Sequence, residues 1–366
     1  VRILTVIGAR PQFIKAAAVS RALRAEADID EQLLHTGQHY DPMMSEVFFR
    51  ELEIPTPTYH LEIGSGAHGA QTGRMLEAIE RVLLDTAPDW VLVYGDTNST
   101  LAGALAAAKL HIPVAHMEAG LRSFNRRMPE ELNRVLTDHL SALLFTPTES
   151  AVANLQQEGI TGERVALIGD VMYDAARQFG EKARRESAIL ARLNLAAGGY
   201  ALATLHRAEN TDDPARLRAI VTGLMAVTAD TPILLPLHPR THGRLRDAGL
   251  LDEVTRHLRV IEPVGYLDMV MLERSARLVL TDSGGVQKEA FFHGVPCVTL
   301  RDETEWVELV TCGWNCLLSP TSAEVVHDGI RAALAAPPPP PPPENLYGGG
   351  QAAARVAACL RAHAGR

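Results

Sequence analysis

The sequence predicts an α/β protein built as two Rossmann-like, doubly wound halves. Short apolar runs alternate with helical patterns along the chain, the signature of parallel strands joined by crossover helices. Nearly every apolar run ends in glycine or polar residues, as strands do where their carboxyl ends meet a ligand. The length, 366 residues, exceeds what one core comfortably fills. A change of composition and register near Gly169-Asp170-Val171 marks the expected boundary, with residues 1–168 before it and 169–350 after it. A last helix, residues 351–366, is expected to cross back to the first domain. Two such halves leave a cleft between facing strand ends, the default place for a site.

Bulk properties exclude several classes. With 46% hydrophobic and 22% charged residues, the chain has the composition of an ordinary globular protein. A formal charge of −9 argues against a nucleic-acid or anionic-membrane partner, while leaving room for a local basic pocket. Cys297, Cys312, Cys316 and Cys359 form no disulfide framework, and the spacing of Cys312 and Cys316 lacks the second Cys/His pair of a zinc site. No apolar run reaches the length of a membrane span and no signal peptide precedes the first strand, so a cytoplasmic protein is expected.

In chain order, residues 2–7 read as a buried strand closed by Gly8 and followed by an alanine-rich helix. This is strand, tight turn, helix without GxGxxG, so no dinucleotide is implied. Arg10 and Lys15 lie at the helix entrance, where an anion is favoured; on these residues alone, solvated cations are an equal reading. Residues 32–36 form the next strand, and the glycine-rich stretch 64–73 reads as a loop before a helix over 75–84. Residues 89–94 are a buried strand ending in Gly95-Asp96-Thr97-Asn98-Ser99-Thr100, whose polar side chains either cap the next helix or hold a ligand.

Residues 112–115 are a strand that ends at His116 and opens the polar loop to Arg134. Pro129 suits the first turn of a helix, and Glu130 and Glu131 suit its positive end. Glu118 and Glu130 therefore edge one loop, with Arg122, Arg126, Arg127 and Arg134 nearby. A solvated surface is the plain alternative. Residues 143–146 complete the strands of this half, and Pro147-Thr148-Glu149-Ser150 starts a helix.

The second half repeats the pattern with strands at 200–204, 232–237, 258–261, 277–280 and 295–300. His206 ends the first of these and is a candidate acid or base, although a lone histidine is more often structural. The spacing of His238 and His242 suits a metal on a helix, but Pro239 argues against a continuous helix there. Ser283-Gly284-Gly285 lies between a strand and a helix, where successive amides would suit a diphosphate; a structural turn is the alternative. Glu289, one turn on, would accept ribose hydroxyls. Pro337 to Pro343, seven prolines, reads as an extended surface connector.

The segments GARPQFIK, Gly95-Asp96-Thr97, His116-Met117-Glu118-Ala119-Gly120-Leu121-Arg122, Pro129-Glu130-Glu131-Leu132-Asn133-Arg134, His206-Arg207 and Thr281-Asp282-Ser283-Gly284-Gly285-Val286-Gln287 together resemble the non-hydrolysing UDP-N-acetylglucosamine 2-epimerases. The resemblance spans essentially the whole chain. It implies a fold of the glycosyltransferase-B and glycogen phosphorylase type, reversible inversion at C2 of a UDP-2-acetamido sugar without metal or other cofactor, and a homodimer. It implies Asp96, Glu118, Glu130 and His206 as catalytic residues, and Arg10, Lys15, Arg122, Arg134, His238, Val264, Ser283, Gly284, Gly285 and Glu289 as substrate-binding residues. Which carboxylate serves which face of C2 stays open.

Some positions depart from the family pattern. Val264, Met269 and Trp306 stand where many members carry Gln, Phe and Arg, and Tyr40 stands where many bacterial members carry the arginine of an activating second-nucleotide site. GARPQFIK, TEWVELVTCG and LYGGGQA are similar to the branch acting on UDP-2,3-diacetamido-2,3-dideoxyglucuronate, where Arg126 and Arg127 would suit a uronate carboxylate. A glycosyltransferase of the same fold and a nucleotide-sugar binding protein are the rival readings. The first needs an acceptor, and the second shows no turnover.

Overall fold

The computed structural model describes residues 1–38, 49, 51–341 and 346–363, without the side chain of Arg10. The Tyr40 position and the last two prolines of the 337–343 run lie outside the described residues. The chain forms two compact units, Val1–Ala175 with Glu344–Arg366, and Ala176–Pro343. Among the described residues, no helix is long and apolar enough to cross a membrane.

The first unit is a seven-stranded sheet of β1 (Arg2–Ile7), β2 (Asp30–His35), β3 (Tyr59–His60), β4 (Trp90–Tyr94), β5 (Val114–Met117), β6 (Leu143–Thr146) and β7 (Val165–Leu167). Its order is β3-β2-β1-β4-β5-β6-β7, with every pair parallel. The second sheet has β8 (Ala201–Thr204), β9 (Ile233–Pro236), β10 (Arg259–Ile261), β11 (Leu278–Thr281), β12 (Cys297–Thr299) and β13 (Asn315–Leu317), in the order β10-β9-β8-β11-β12-β13 and again all parallel. Helices cover both faces of such sheets, so central strands are buried on both sides and read as unbroken apolar runs. All five residues of β4, WVLVY, are buried. The predicted α/β class with two Rossmann-like sheets is the one observed.

In each sheet the chain order reverses once, between β1 and β4 in the first and between β8 and β11 in the second. Ligands of doubly wound folds bind outside the carboxyl ends of the strands at such points. The ends are Gly8 and Gly95-Asp96 in one unit, and His206 and Asp282-Ser283 in the other. At Gly8, any Cβ would overlap the hydroxyls of Thr36 and Ser99, so the absence of a side chain lets these two residues approach the backbone.

The four edge strands, β3, β7, β10 and β13, have only two or three residues each; β10 falls in the stretch expected at 258–261, and the other three were not expected. The stretch read as a glycine-rich loop is partly helix: it starts at His68 and runs to Thr86 despite Gly69 and Gly73. Each glycine costs about 1 kcal/mol in a helix, but tertiary contacts offset this. Gln71 is buried and donates to Gly64 O at 2.8 Å, and Met75, Ile79 and Leu83 continue the buried face. The strand expected at 112–115 is displaced to Val114–Met117, which draws His116 into the sheet. Burial of that ring is tolerated because both its nitrogens are paired.

Helix Ala352–Ala362 packs on helix Arg10–Arg24 within the first unit. Asp174 accepts from the amides of Ala352 and Ala353 at 3.2 and 3.1 Å, and Arg361 pairs with Glu26. In the second unit, Leu217, Ile220 and Leu224 cover one face of the sheet together with Val326 and Ile330, while Leu272, Ala290 and Val295 cover the other. Trp314 Nε1 donates to Pro340 O at 2.9 Å, holding part of the proline run.

His35, at the end of β2, is fully buried between the rings of Phe13 and His60. Burial, then the neighbouring His60, pushes it down to about 4. Unfolding returns it to its ordinary value near 6.5, so the unfolded chain binds more protons between these limits. The resulting stability is fully present above pH 6.5 and declines toward pH 4, by up to about 3 kcal/mol. Denaturant midpoints from neutral to acid pH should show this decline, with a flatter profile for His35→Asn, whose amide oxygen still accepts from Gly37 without titrating.

Candidate active-site residues

In the first unit, Gln12 binds the reversal point together. Its Oε1 accepts from the amides of Gly8 and Ala9 at 2.7 and 3.0 Å, and its Nε2 donates to Tyr94 O at 2.8 Å. Those two amides are therefore engaged within the chain. Lys15, 8% exposed, forms an ion pair with Glu118. Glu118 follows β5 directly and has a left-handed backbone, φ 70°, which a non-glycine residue adopts only under constraint. Its carboxylate lies beside Gly95: a Cβ built there would be 3.5 Å from both Glu118 Oε2 and Lys15 Nζ.

Asp96 is half-buried and pairs with Arg134, whose other terminal nitrogen donates to Glu131 at 2.8 Å. The polar residues after Asp96 serve the fold. Thr97 caps helix Asn98–Lys109, Thr100 donates to Tyr94 O at 2.6 Å, Asn98 donates to Gln71 at 2.9 Å, and Ser99 donates to Gln38 at 2.7 Å. Glu130 is exposed on the first turn of helix Pro129–Leu140, whereas Glu131 is buried and accepts from the amides of Ser123 and Phe124 at 3.0 and 2.9 Å. Arg126 and Arg127 are exposed.

Arg122, expected among the substrate-binding residues, is engaged within the chain. Its guanidinium grips Glu158 with two bonds at 2.6 and 2.8 Å and donates to Asp138 and Leu121 O at 2.7 and 2.6 Å. Buried, with four of its five donors engaged, it braces the loop. Asp138 also accepts from His116 Nδ1 at 2.7 Å, and His116 Nε2 donates to Gly95 O at 2.7 Å. Burial pushes the Asp138 carboxyl up, but His116 and Arg122 outweigh it and hold the group below the usual carboxylate range.

The second unit centres on Asp282, fully buried at the end of β11. It accepts from the amides of His206 and Arg207 at 3.1 and 3.0 Å and from Asn210 Nδ2 at 3.2 Å, and its Oδ1 lies 3.4 Å from His206 Nδ1. The half-exposed imidazole is thus oriented from behind, 5.6 Å from the His238 ring. His238 caps helix Pro239–Asp247, its Nδ1 accepting from Arg240 N at 3.2 Å, so Pro239 begins the helix rather than breaking it. Among the described residues, no group of three His, Cys, Asp or Glu converges to hold a metal.

Ser283 caps helix Gly284–Phe292. Neither Gly284 nor Gly285 has positive φ, and neither is crowded: a Cβ on Gly284 would meet nothing nearer than Arg207 Nη2 at 3.6 Å, and one on Gly285 nothing nearer than Ser283 Oγ at 3.9 Å. The chain's own backbone and packing therefore do not require these glycines. Glu289, buried in the same helix, accepts from Tyr266 Oη at 3.1 Å. Val264 packs partly buried against the apolar cluster that includes Leu272 and Ala290.

The sequence reading assigned no site role to Gln12, Asp138 or Asp282, gave Glu131 only a place at the positive end of its helix, and missed two buried arrangements near the Ser283 turn. Arg301 pairs doubly with Glu305 at 3.1 and 3.2 Å, and Lys288 Nζ lies 3.7 Å above the Trp306 ring. One signal was available: Glu131, Arg134 and Asp138 follow at helical spacing and are buried, whereas Leu132 and Leu136 on the same helix are 45% and 50% exposed.

A family model described as UDP-N-acetylglucosamine 2-epimerase matches residues 21–361. The chain is 55% identical over 336 residues to the UDP-2,3-diacetamido-2,3-dideoxy-D-glucuronate 2-epimerase of Pseudomonas aeruginosa, covering 91% of this chain and 92% of that relative. It is 49% identical over 327 residues to the UDP-N-acetylglucosamine 2-epimerase of Methanocaldococcus jannaschii, covering 88% and 89%. The crystal structure of a Methanocaldococcus jannaschii UDP-GlcNAc 2-epimerase in complex with UDP-GlcNAc and UDP matches with a TM-score of 0.92 at 45% identity, covering 99% of this chain and all of that one. With a family match over most of its length and the same two-sheet fold, this chain belongs to the UDP-N-acetylglucosamine 2-epimerase family and is an isomerase.

Proposed function

We propose that the protein inverts C2 of UDP-N-acetylglucosamine, giving UDP-N-acetylmannosamine, by eliminating UDP and adding it back. The C2 proton is not next to a carbonyl and is too weakly acidic for direct removal. Breaking the anomeric C–O bond first gives an oxocarbenium-like centre that acidifies it, and proton loss leaves 2-acetamidoglucal and UDP. UDP then returns to the anomeric carbon while a proton is delivered to the opposite face of C2. Holding both fragments away from water prevents their loss as free products.

In this reading Asp96, Glu118 and Glu130 supply the acid and base groups, Lys15 and Arg134 orient the first two, and His206 attends the departing diphosphate. Ser283, Gly284, Gly285 and Glu289 hold UDP, with Arg10, His238 and the Val264 position also on the nucleotide. The observation that carries the nucleotide assignment is the open Gly284-Gly285 helix entrance, which the packing leaves uncrowded and which Arg207 flanks. Backbone amides and a nearby guanidinium suit a diphosphate. A substrate carrying oxygen-18 in the anomeric bridge tests the order of events: C–O cleavage lets the label scramble into non-bridging phosphate positions during turnover, whereas epimerisation with the label left in the bridge contradicts it.

A second reading keeps this chemistry but uses UDP-2,3-diacetamido-2,3-dideoxyglucuronate as substrate. It is favoured by the 55% identity to the Pseudomonas aeruginosa relative, and by exposed Arg126 and Arg127, which suit a carboxylate. Side-by-side kcat/KM values separate the two: the first requires UDP-N-acetylglucosamine to be the better substrate, the second the uronate. A cytoplasmic homodimer completes the proposal, and a monomeric mass by sedimentation equilibrium would contradict the dimer.

A further inference from the structure

Asp138 is fully buried, and its contacts surround one candidate catalytic residue. One oxygen accepts from His116 Nδ1 at 2.7 Å; the other accepts from the Gly120 amide at 3.1 Å and from Arg122 at 2.7 Å. A single carboxylate thus grips the chain two residues before and two residues after Glu118. The enclosed residue has φ 70°, a conformation that persists only when its surroundings over-determine it. From the same histidine a second bond runs to Gly95 O at 2.7 Å, next to Asp96 and beside the Glu118 carboxylate.

The protons can be placed by counting. A carbonyl only accepts, so Nε2 of His116 carries hydrogen. The Gly120 amide and the Arg122 guanidinium only donate, so both favour an ionised Asp138, and Nδ1 must then donate as well. Both ring nitrogens carry hydrogen, making His116 an imidazolium. Its charge and that of Arg122 balance the carboxylates of Asp138 and Glu158.

We propose that His116 and Asp138 are positioning residues: a buried imidazolium–carboxylate pair that sets Glu118 and Asp96 in their working relation without touching the substrate. This rests on reading Asp96 and Glu118 as acid–base groups. A displacement of about 1 Å in such groups costs on the order of 10²-fold in rate.

The test measures kcat and KM for UDP-N-acetylglucosamine and UDP-2,3-diacetamido-2,3-dideoxyglucuronate in His116→Gln and Asp138→Asn, with folding checked by circular dichroism. The expected result, on the better substrate, is a kcat lower by about 10²-fold with KM little changed, a split that general destabilisation would not produce. Wild-type kcat in folded His116→Gln overturns the proposal. If the variants do not fold, neutron diffraction from the wild-type crystal decides: deuterium on both ring nitrogens supports it, and a bare Nδ1 facing a protonated Asp138 overturns it. Asp96→Asn and Glu118→Gln are assayed alongside. Full turnover in those two sinks the underlying acid–base assignment, whereas their inactivity beside a fully active His116→Gln sinks only the positioning role.

Discussion

Glu118→Gln should lower kcat by about 10²–10⁴-fold, the usual contribution of a positioned acid or base. The amide keeps the shape of the carboxylate and loses its ability to exchange a proton. The substitution also removes the buried partner of Lys15, and breaking such a pair destabilises by about 3–5 kcal/mol. Rate and stability must therefore be separated. The double variant Lys15→Met/Glu118→Gln replaces the Lys15 cation with an apolar side chain and should recover much of the stability without recovering turnover. Thermal melts and initial rates on the same preparations check both halves; turnover that returns with stability would make Glu118 a structural residue.

Gly284→Ala should move stability and binding in opposite directions. A Cβ there meets nothing closer than 3.6 Å and the backbone φ is not left-handed. The variant should fold as well as the parent or gain about 0.5–1 kcal/mol from reduced freedom of the unfolded chain. A diphosphate seated on the amides at this helix entrance would meet the new methyl group. Losing one charge-assisted hydrogen bond of about 1.5–3 kcal/mol corresponds to roughly a 10- to 150-fold rise in Kd for UDP. Calorimetric titration with UDP and a denaturant curve check the two arms. Unchanged affinity in a folded variant would move the diphosphate away from this turn.

The sequence made the central strands legible because a parallel sheet buries them on both faces, leaving unbroken runs such as WVLVY. The edge strands β3, β7 and β13, of two or three residues each, carry no period and escaped, whereas the equally short edge strand β10 lies in the apolar run 258–261 and was legible. Helix His68–Thr86 was shortened in the reading because Gly69 and Gly73 signal a break, and only tertiary contacts such as those of Gln71 override them. Among the candidate residues, Asp96 and Glu118 announced themselves as carboxylates at strand ends. Their supports did not. Asp138 stands on a helix twenty residues beyond Glu118, and Asp282 precedes the turn that drew attention to itself. What makes each matter is the set of donors converging on it, a property of three-dimensional arrangement. Arg122 shows the reverse: a conspicuous loop arginine whose donors turn inward to Glu158 and Asp138.

As a 2-epimerase the chain should make and break the C2–H bond of a nucleotide sugar with no second substrate. Incubating the purified protein in D2O with UDP-N-acetylglucosamine or the diacetamido-uronate derivative, and following C2 by NMR, tests it most directly. Deuterium should enter at C2 as the two epimers equilibrate, with no acceptor present and no free sugar accumulating. A sugar nucleotide that binds and is recovered with its C2 proton intact would contradict it.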